Sequence, residues 1–153
     1  MTIAAWRIVP ALRIAEAFTG EGARLYGGRW NSPGVAIVYT SATRSLAVLE
    51  TRVHINPPLP VKYVIYEVEI DGALVENISA GKLPTGWDAE PPGPASMEIG
   101  NRWTKDRRSA VLAVPSAITG ETNYLLNPAH VDFKKVKIGK PEPFTFDSRL
   151  IKK

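Results

Sequence analysis

The segment from Tyr26 to Glu50 concentrates the side chains of this sequence that could do chemistry. Within it, a double glycine is followed directly by Arg29, Trp30 and an asparagine. Glycine lets a backbone approach a ligand closely, and arginine is suited to bidentate contact with phosphate. The spacing supports two interpretations equally: an anion-binding loop, or a turn in which Arg29 pairs with a carboxylate and Trp30 fills the core.

Glu50 is the carboxylate that closes this segment, and its neighbours are apolar. Tyr39 ends a predicted strand, Ser41 opens the helix that follows, and Glu50 lies about two turns into that helix. A glutamate in this setting is either exposed, which is the commoner case, or held in a cleft. Ser116 follows a predicted strand end and alone suggests a turn residue, because no Ser–His–Asp arrangement can be assembled around it.

Composition limits the class of protein. A chain of 153 residues with 44% hydrophobic residues suits one domain, which we expect to span residues 1–153. The absence of cysteine excludes disulfides and thiolate metal sites, and the two histidines exclude a multi-histidine site. Because neither a signal peptide nor a long apolar run is present, we expect a cytoplasmic protein that does not enter the membrane. The net charge of +4 favours anionic partners.

Hydrophobic periodicity predicts more strands than helices, without regular alternation between them. The predicted strands are Trp6–Val9, Val35–Thr40, Val61–Ile70, Ala110–Val114 and Phe133–Ile138, with a further short apolar element at Asn123–Asn127. Such a pattern indicates an α+β fold, a compact single domain with a mixed β-sheet, rather than a doubly wound one.

Two helices and two irregular loops complete the predicted elements. The first helix is capped by Ser41 or Thr43 and stopped at Asn56, with Leu46, Leu49 and Val53 on its inner face. The second spans Ser96–Thr104. Glycine and proline predict irregular loops at Thr19–Gly34 and Gly81–Pro94, and the latter carries Trp87.

Several short motifs, taken in order, resemble the RES-domain family. They are Arg7 in WRIV, followed by GARLYGGRWNSPG, VYTSATRSLAVLE, LPTGWD, VPSAI, NYLLNPAHVDF and FDSRL, and together they run from Trp6 to Leu150. Each string is weak alone, but their order over nearly the whole chain is specific. The resemblance implies a fold similar to that of ADP-ribosyltransferases, the role of toxin in a bacterial toxin–antitoxin pair, and NAD as the substrate.

The family resemblance also implies the site residues. Arg29, Glu50 and Ser116 match the arginine, glutamate and serine for which the family is named, and they are the predicted catalytic residues. The predicted NAD-binding residues are Arg7, Arg29, Trp30, Tyr39, Ser41 and Asn127. Glu50 would stabilise the oxocarbenium-like transition state or hold a ribose hydroxyl. Arg29 and Arg7 would hold the pyrophosphate, Tyr39 and Trp30 would stack on a ring, and Ser116 would bind a ribose or a phosphate.

The acceptor of the reaction stays open at this stage. Water or inorganic phosphate would make the protein an NAD glycohydrolase or phosphorylase, with phosphate as a co-substrate in the second case, and a protein acceptor would make it an ADP-ribosyltransferase. No metal and no separate cofactor is expected. The implied partner is an Xre-like antitoxin that blocks the site and carries the DNA contact, and a homodimer is open. The competing class is a non-enzymatic basic module that binds nucleic acid, supported by the lysines from Lys134 to Lys140.

Overall fold

Two long antiparallel strands form the centre of the fold. The computed structural model describes residues 1–54 and 62–150. β1 (Thr2–Pro10) and β3 (Tyr63–Asp71) pair over their whole length, from Thr2 opposite Asp71 to Pro10 opposite Tyr63. Both strands are rich in isoleucine, valine and aromatic residues, which suit a pleated and buried surface.

Six shorter strands extend this pair into one mixed sheet. They are β2 (Val38–Ser41), β4 (Val75–Asn77), β5 (Val111–Pro115), β6 (Thr122–Leu126), β7 (Lys137–Ile138) and β8 (Glu142–Phe144). The order across the sheet is β4-β5-β6-β2-β1-β3-β7, with β8 also paired to β3. The β4–β5 pair is parallel and the remaining strand pairs of the described chain are antiparallel.

The sheet has two halves that meet at a narrow joint. One half consists of β4, β5, β6 and β2, paired in that order. The other half consists of β1 and β3, with β7 and β8 paired to β3. Within the described chain, β1 and β2 share one residue pair, Trp6 opposite Ser41. We call this pair the joint, because it is where backbone pairing passes from one half to the other.

Three α-helices accompany the sheet: α1 (Glu21–Tyr26), α2 (Arg44–Arg52) and α3 (Pro94–Asp106). Helix α2 begins where sequence preference predicts, since the Thr43 hydroxyl accepts a hydrogen bond from the backbone N–H of Leu46 at 3.0 Å. Helix α3 begins with a proline in its first turn, where the missing N–H costs nothing. None of the helices in the described ranges is long and apolar enough to cross a membrane.

Buried side chains lie on both faces of the sheet. One cluster, which includes Ala5, Val38, Val68 and Leu126, spans both halves. Another gathers Trp30 and Trp103 against β5 and β6. Gly100 makes the second cluster possible, because a Cβ there would lie 1.7 Å from the Trp30 carbonyl oxygen. Helix α3 can therefore approach the Trp30 backbone only through a residue without a side chain.

The predicted fold class is confirmed, and most predicted elements are present. A strand, a helix, a strand, a second helix and two further strands lie where they were expected, at β1, α2, β3, α3, β5 and β6. Gly81–Pro94 is largely irregular, as predicted, apart from a short 3-10 turn at its start and the first residue of α3 at its end. The predicted helix stop at Asn56 and the predicted strand start at Val61 lie outside the described residues.

Four predictions of local structure were wrong. Thr19–Gly34 contains helix α1, and the strand expected at Val35–Thr40 is β2, which begins three residues later. Phe133–Ile138 is mostly part of a 3-10 helix, with a strand at its last two residues alone. On α2, Leu49 and Val53 are exposed, because the face turned to the sheet is formed by Leu46 and Ala47.

Candidate active site

Glu50 is held by a chain of hydrogen bonds that begins at the joint. The Ser41 hydroxyl donates to Oδ1 of Asn123 at 2.8 Å, and Nδ2 of Asn123 donates to Oε2 of Glu50. Ser41 and Asn123 are buried and lie opposite each other on β2 and β6. Glu50 is half-buried. Its carboxylate is therefore held in a fixed polar setting and is not a freely solvated side chain.

The position of Glu50 follows from the face of α2 that meets the sheet. Leu46 and Ala47 are buried, and Glu50 comes four and three residues after them. Residues at these spacings share one face of a helix. Ala47 packs in a cluster with Ile8, Tyr63 and neighbouring apolar residues of β1 and β3. The sheet-facing side of α2 therefore carries Glu50 to the joint.

Tyr39 connects the glycine-rich loop to this region. Its hydroxyl donates to Oδ1 of Asn31 at 2.6 Å and accepts from the backbone N–H of Trp30 at 3.1 Å. Gly28 passes so close that a Cβ there would lie 2.7 Å from the Tyr39 hydroxyl oxygen. Burial raises the pKa of the Tyr39 phenol, while the charge of Arg29 lowers it and that of Glu50 raises it. The phenol is therefore expected to stay protonated at neutral pH.

Arg29 fastens the irregular segment 83–93 over this region. Its Nη1 donates to the carbonyl oxygens of Trp87 at 3.0 Å and Ala89 at 2.8 Å, and its Nη2 lies 3.4 Å from the Glu90 carboxylate. The Trp87 ring stacks on Trp30, with 5.9 Å between centroids. A guanidinium carries five N–H groups, so the Nε–H and one Nη2–H remain for a ligand after these contacts.

Ser116 lies at the same end of the sheet, and its hydrogen bonds limit it to the role of a donor. It follows the last residue of β5, two positions beyond Val114, which is paired with Asn123. Its hydroxyl oxygen accepts from the backbone N–H groups of Ile118 at 3.0 Å and Thr119 at 3.3 Å. Because a hydroxyl has two lone pairs and one proton, these contacts leave Ser116 only its proton to offer. It can donate to a ligand but is poorly placed to act as a base or nucleophile.

A cavity of about 280 Å³ opens at this end of the sheet. It lies where β4 and β5 end and β6 begins, and polar groups in its wall come from Asn77, Ser79 and Thr122. In the described ranges, no group of three or more histidine or carboxylate side chains could hold a metal ion. Arg29, Glu50 and Ser116 are not among the residues that line this cavity.

Two residues predicted to bind NAD, Trp30 and Asn127, have other contacts in the structure. Trp30 is 2% exposed and is covered by Trp87, so its indole is part of the core. Asn127 is fully buried at the far end of β6 from Asn123, where its Nδ2 donates to the Thr104 carbonyl at 3.3 Å. These placements favour structural roles for both residues, and their contact with NAD stays a prediction.

Arg7 bonds across the gap that opens beside the joint. Its Nε donates to the Ala17 carbonyl at 2.6 Å and its Nη1 to the Tyr39 carbonyl at 3.0 Å. Burial lowers the pKa of Arg7 to about 10, and the nearby Tyr66 raises it. Its guanidinium thus replaces strand pairing between β1 and β2 at this point, and its contact with a phosphate also stays a prediction.

Two groups of site residues were absent from the sequence prediction. The sequence predicts that Asn123 flanks a short apolar element and either ties down a loop or binds ligand hydroxyls, whereas in the structure it contacts Glu50. Asn123 and Leu125 share one face of the strand, which indicates that Asn123 points inward. The sequence does not show its partner, because Glu50 lies 73 residues away in the chain. Trp87 stacks on Trp30, and Glu90 lies beside Arg29. Both belong to a proline-rich loop, and no sequence pattern indicates these contacts.

Comparison with known proteins agrees with these motifs. The RES domain family matches residues 4–147. A protein of Sphingobium sp. (strain YBL2) named Prs ADP-ribosylating toxin is 46% identical, covering 100% of this chain and 99% of that protein. Toxin Res of Yersinia enterocolitica is 37% identical, with 95% of this chain and 97% of that protein covered.

A solved structure shows the same fold. A chain of the crystal structure of the M. tuberculosis MbcT–MbcA toxin–antitoxin complex superposes with a TM-score of 0.76. The match covers 95% of this chain and 85% of that one, at 16% sequence identity. The family match extends over most of the chain, and two relatives that align over nearly their full length are 46% and 37% identical to it. This protein therefore belongs to the RES-domain family.

Proposed function

We propose that this protein is the toxin of a toxin–antitoxin pair and that it cleaves the nicotinamide–ribose bond of NAD. The observation that carries the proposal is the setting of Glu50, a half-buried carboxylate that accepts a hydrogen bond from the buried Asn123 amide. A fixed anion suits a substrate with a developing positive charge, and the N–H groups that Arg29 keeps free suit a pyrophosphate. The toxin role is supported by the names of the relatives.

The proposed reaction breaks one C–N bond. The electron pair of the bond leaves with the nicotinamide nitrogen, which becomes neutral, and the ribose carbon takes on oxocarbenium character. Water then yields ADP-ribose and one proton, whereas inorganic phosphate yields ADP-ribose 1-phosphate. The Glu50 carboxylate stabilises the cationic transition state electrostatically, or holds a ribose hydroxyl.

The other residues have roles limited by their hydrogen bonds. Arg29 offers its two remaining N–H groups to the pyrophosphate, since its other three N–H groups contact segment 83–93. Ser116 offers only its hydroxyl proton, to a ribose or phosphate oxygen. The Tyr39 hydroxyl is engaged with the glycine-rich loop, so a ligand would meet its ring rather than its oxygen.

Product analysis tests the proposal directly. Purified protein is incubated with NAD, with and without inorganic phosphate, and the products are separated by chromatography and identified. We expect release of nicotinamide, and we expect Glu50→Gln to lower the rate by at least about 100-fold while the thermal midpoint stays close to that of the wild type. The matched control is Glu98→Gln, an exposed glutamate on α3. If Glu50→Gln consumes NAD as fast as Glu98→Gln, the assignment of Glu50 is refuted.

Transfer of ADP-ribose to a protein is the second candidate. It is favoured by the Sphingobium relative, whose name describes an ADP-ribosylating toxin. The bond broken in NAD is the same, and only the acceptor differs. Incubation with NAD labelled in the adenine, in the presence of a bacterial extract, separates the two candidates. Label retained on a protein band supports transfer, and label found only in free ADP-ribose or its phosphate supports NAD breakdown.

An antitoxin partner completes the proposal. The solved relative of the fold is a toxin–antitoxin complex. We propose an Xre-like antitoxin that covers Glu50 and so blocks the site. Co-expression with the protein encoded by the neighbouring reading frame should restore growth and abolish NAD loss. Continued NAD loss in a purified complex would show that the partner does not block this site.

A further inference from the structure

Asn123 occupies the central place in the polar network of the site. It is the second residue of β6, it pairs with Ser41 on one side and Val114 on the other, and it is 8% exposed. Its backbone is therefore fixed by two neighbouring strands. Among the hydrogen bonds of the described chain, its Nδ2 contacts the Glu50 carboxylate directly.

The orientation of the Asn123 amide is set by Glu50. A carboxylate can only accept hydrogen bonds, so the Asn123 group that faces Glu50 must be the NH2. The carbonyl oxygen of the amide then faces Ser41, whose hydroxyl donates to it at 2.8 Å. With both ends of the amide occupied, a flipped amide would place its oxygen against a carboxylate oxygen and is disfavoured.

The bond from Asn123 to Glu50 connects the two halves of the sheet. Helix α2, which carries Glu50, packs through Ala47 with residues of β1 and β3. Asn123 belongs to β6, in the other half. A glutamate side chain has several rotatable bonds, and holding it in one rotamer costs side-chain entropy. One donor on Oε2 supplies that restraint and leaves Oε1 for a ligand.

We propose that Asn123 is a positioning residue for Glu50 and that Ser41 supports it by holding the carbonyl end of its amide. The inference rests on the proposed function, in which Glu50 acts on the nicotinamide ribose. Asn123 itself need not touch NAD. Its contribution is to keep the Glu50 carboxylate at one place at the end of the sheet, so it should affect the rate of the chemical step more than the binding of NAD.

Steady-state kinetics with NAD test this role. We expect Asn123→Ala to lower kcat by about 10-fold to 100-fold, the range for loss of a hydrogen bond to a charged group, with KM changed less than about two-fold. Ser41→Ala should lower kcat by a smaller factor, and Ser41→Thr, which keeps the hydroxyl, should restore it. In the Glu50→Gln background, Asn123→Ala should cause no further loss, because the group that it positions is gone.

The matched control is Thr40→Val. Thr40 precedes Ser41 on β2, is buried, and donates across to β6 at the Tyr124 carbonyl at 2.8 Å. Its variant removes a hydrogen bond between the same two strands without touching the Asn123 amide, so kcat should stay within about two-fold of the wild type. If Asn123→Ala matches this control in kcat, or if its loss adds in full to that of Glu50→Gln, the proposal is overturned.

A spectroscopic measurement covers the case in which Asn123→Ala does not fold. In 15N-labelled wild-type protein, the side-chain amide resonances of Asn123 should move when Glu50 is replaced by glutamine, and those of Asn77, near the cavity, should not. Unmoved Asn123 resonances would overturn the contact. A wild-type protein that consumes no NAD overturns the proposed function as well. Normal wild-type turnover with an insensitive Asn123 overturns only the positioning role.

Discussion

Replacing Glu90 by glutamine should strengthen NAD binding. The Glu90 carboxylate lies 3.4 Å from Nη2 of Arg29, and the two side chains are 81% and 17% exposed. A bound pyrophosphate would use the same guanidinium, so Glu90 competes with it for Arg29 and also repels its charge. Neutralising Glu90 removes both effects, while the bonds of Nη1 to the Trp87 and Ala89 carbonyls keep the segment in place.

The size of the effect follows from the exposure of the pair. A solvent-exposed ion pair contributes about 0.2–1 kcal/mol, and about 1.4 kcal/mol corresponds to a ten-fold change in affinity. We therefore expect Glu90→Gln to lower the Kd for NAD by a factor of up to about five, and we expect the difference to shrink as salt screens the charges. Calorimetry in the Glu50→Gln background measures binding without turnover.

Asp88→Asn provides the matched control for Glu90→Gln. Asp88 is an exposed carboxylate on the same segment, and in the described chain it forms no ion pair with Arg29. Its variant changes the net charge by the same amount. If the two variants raise NAD affinity equally, the effect is one of overall charge and the competition at Arg29 is refuted. If neither changes affinity, Glu90 does not weaken the binding of NAD at Arg29.

Two glycines provide further predictions, both read by thermal unfolding. Gly28→Ala places a Cβ 2.7 Å from the Tyr39 hydroxyl and should cost about 1–3 kcal/mol, part of which Tyr39→Phe should recover by removing that oxygen. A Gly28→Ala protein as stable as the wild type would contradict the packing of this loop. Gly100→Ala should cost more than about 3 kcal/mol, because its Cβ would meet the Trp30 carbonyl at 1.7 Å. Gly22→Ala is the control, since a Cβ there meets nothing within 4 Å and alanine favours a helix, so it should not destabilise.

Local patterns predicted the parts of the fold that local forces decide. Helix α2 was expected because Thr43 is a good N-cap, and its hydroxyl does accept the Leu46 N–H. The predicted inner face of that helix was partly wrong: it followed the apolar residues of the sequence, whereas the face that packs on the sheet contains Leu46, Ala47 and the half-buried Glu50. Leu49 and Val53 turned out exposed. The correct face also carries Glu50, so this error concealed why the glutamate is part of the site.

The candidate site was predicted as a set of residues, without their contacts. The family resemblance named Arg29, Glu50 and Ser116, and their part in catalysis stays a prediction. It could not show that Arg29 holds segment 83–93, that both acceptor positions of Ser116 are occupied, or that Asn123 contacts Glu50. These are contacts of a particular three-dimensional register, and residue types along the chain carry little information about them.

The joint between Trp6 and Ser41 has a consequence for the stability of the sheet. Buried side chains span both halves on one face of the sheet, but within the described chain backbone pairing crosses at one residue pair. Where pairing is this short, side chains carry part of the contact, and Arg7 of β1 donates to the Tyr39 carbonyl of β2. Loss of the Arg7 side chain should therefore weaken the connection between the two halves while the nine-residue pairing of β1 with β3 persists.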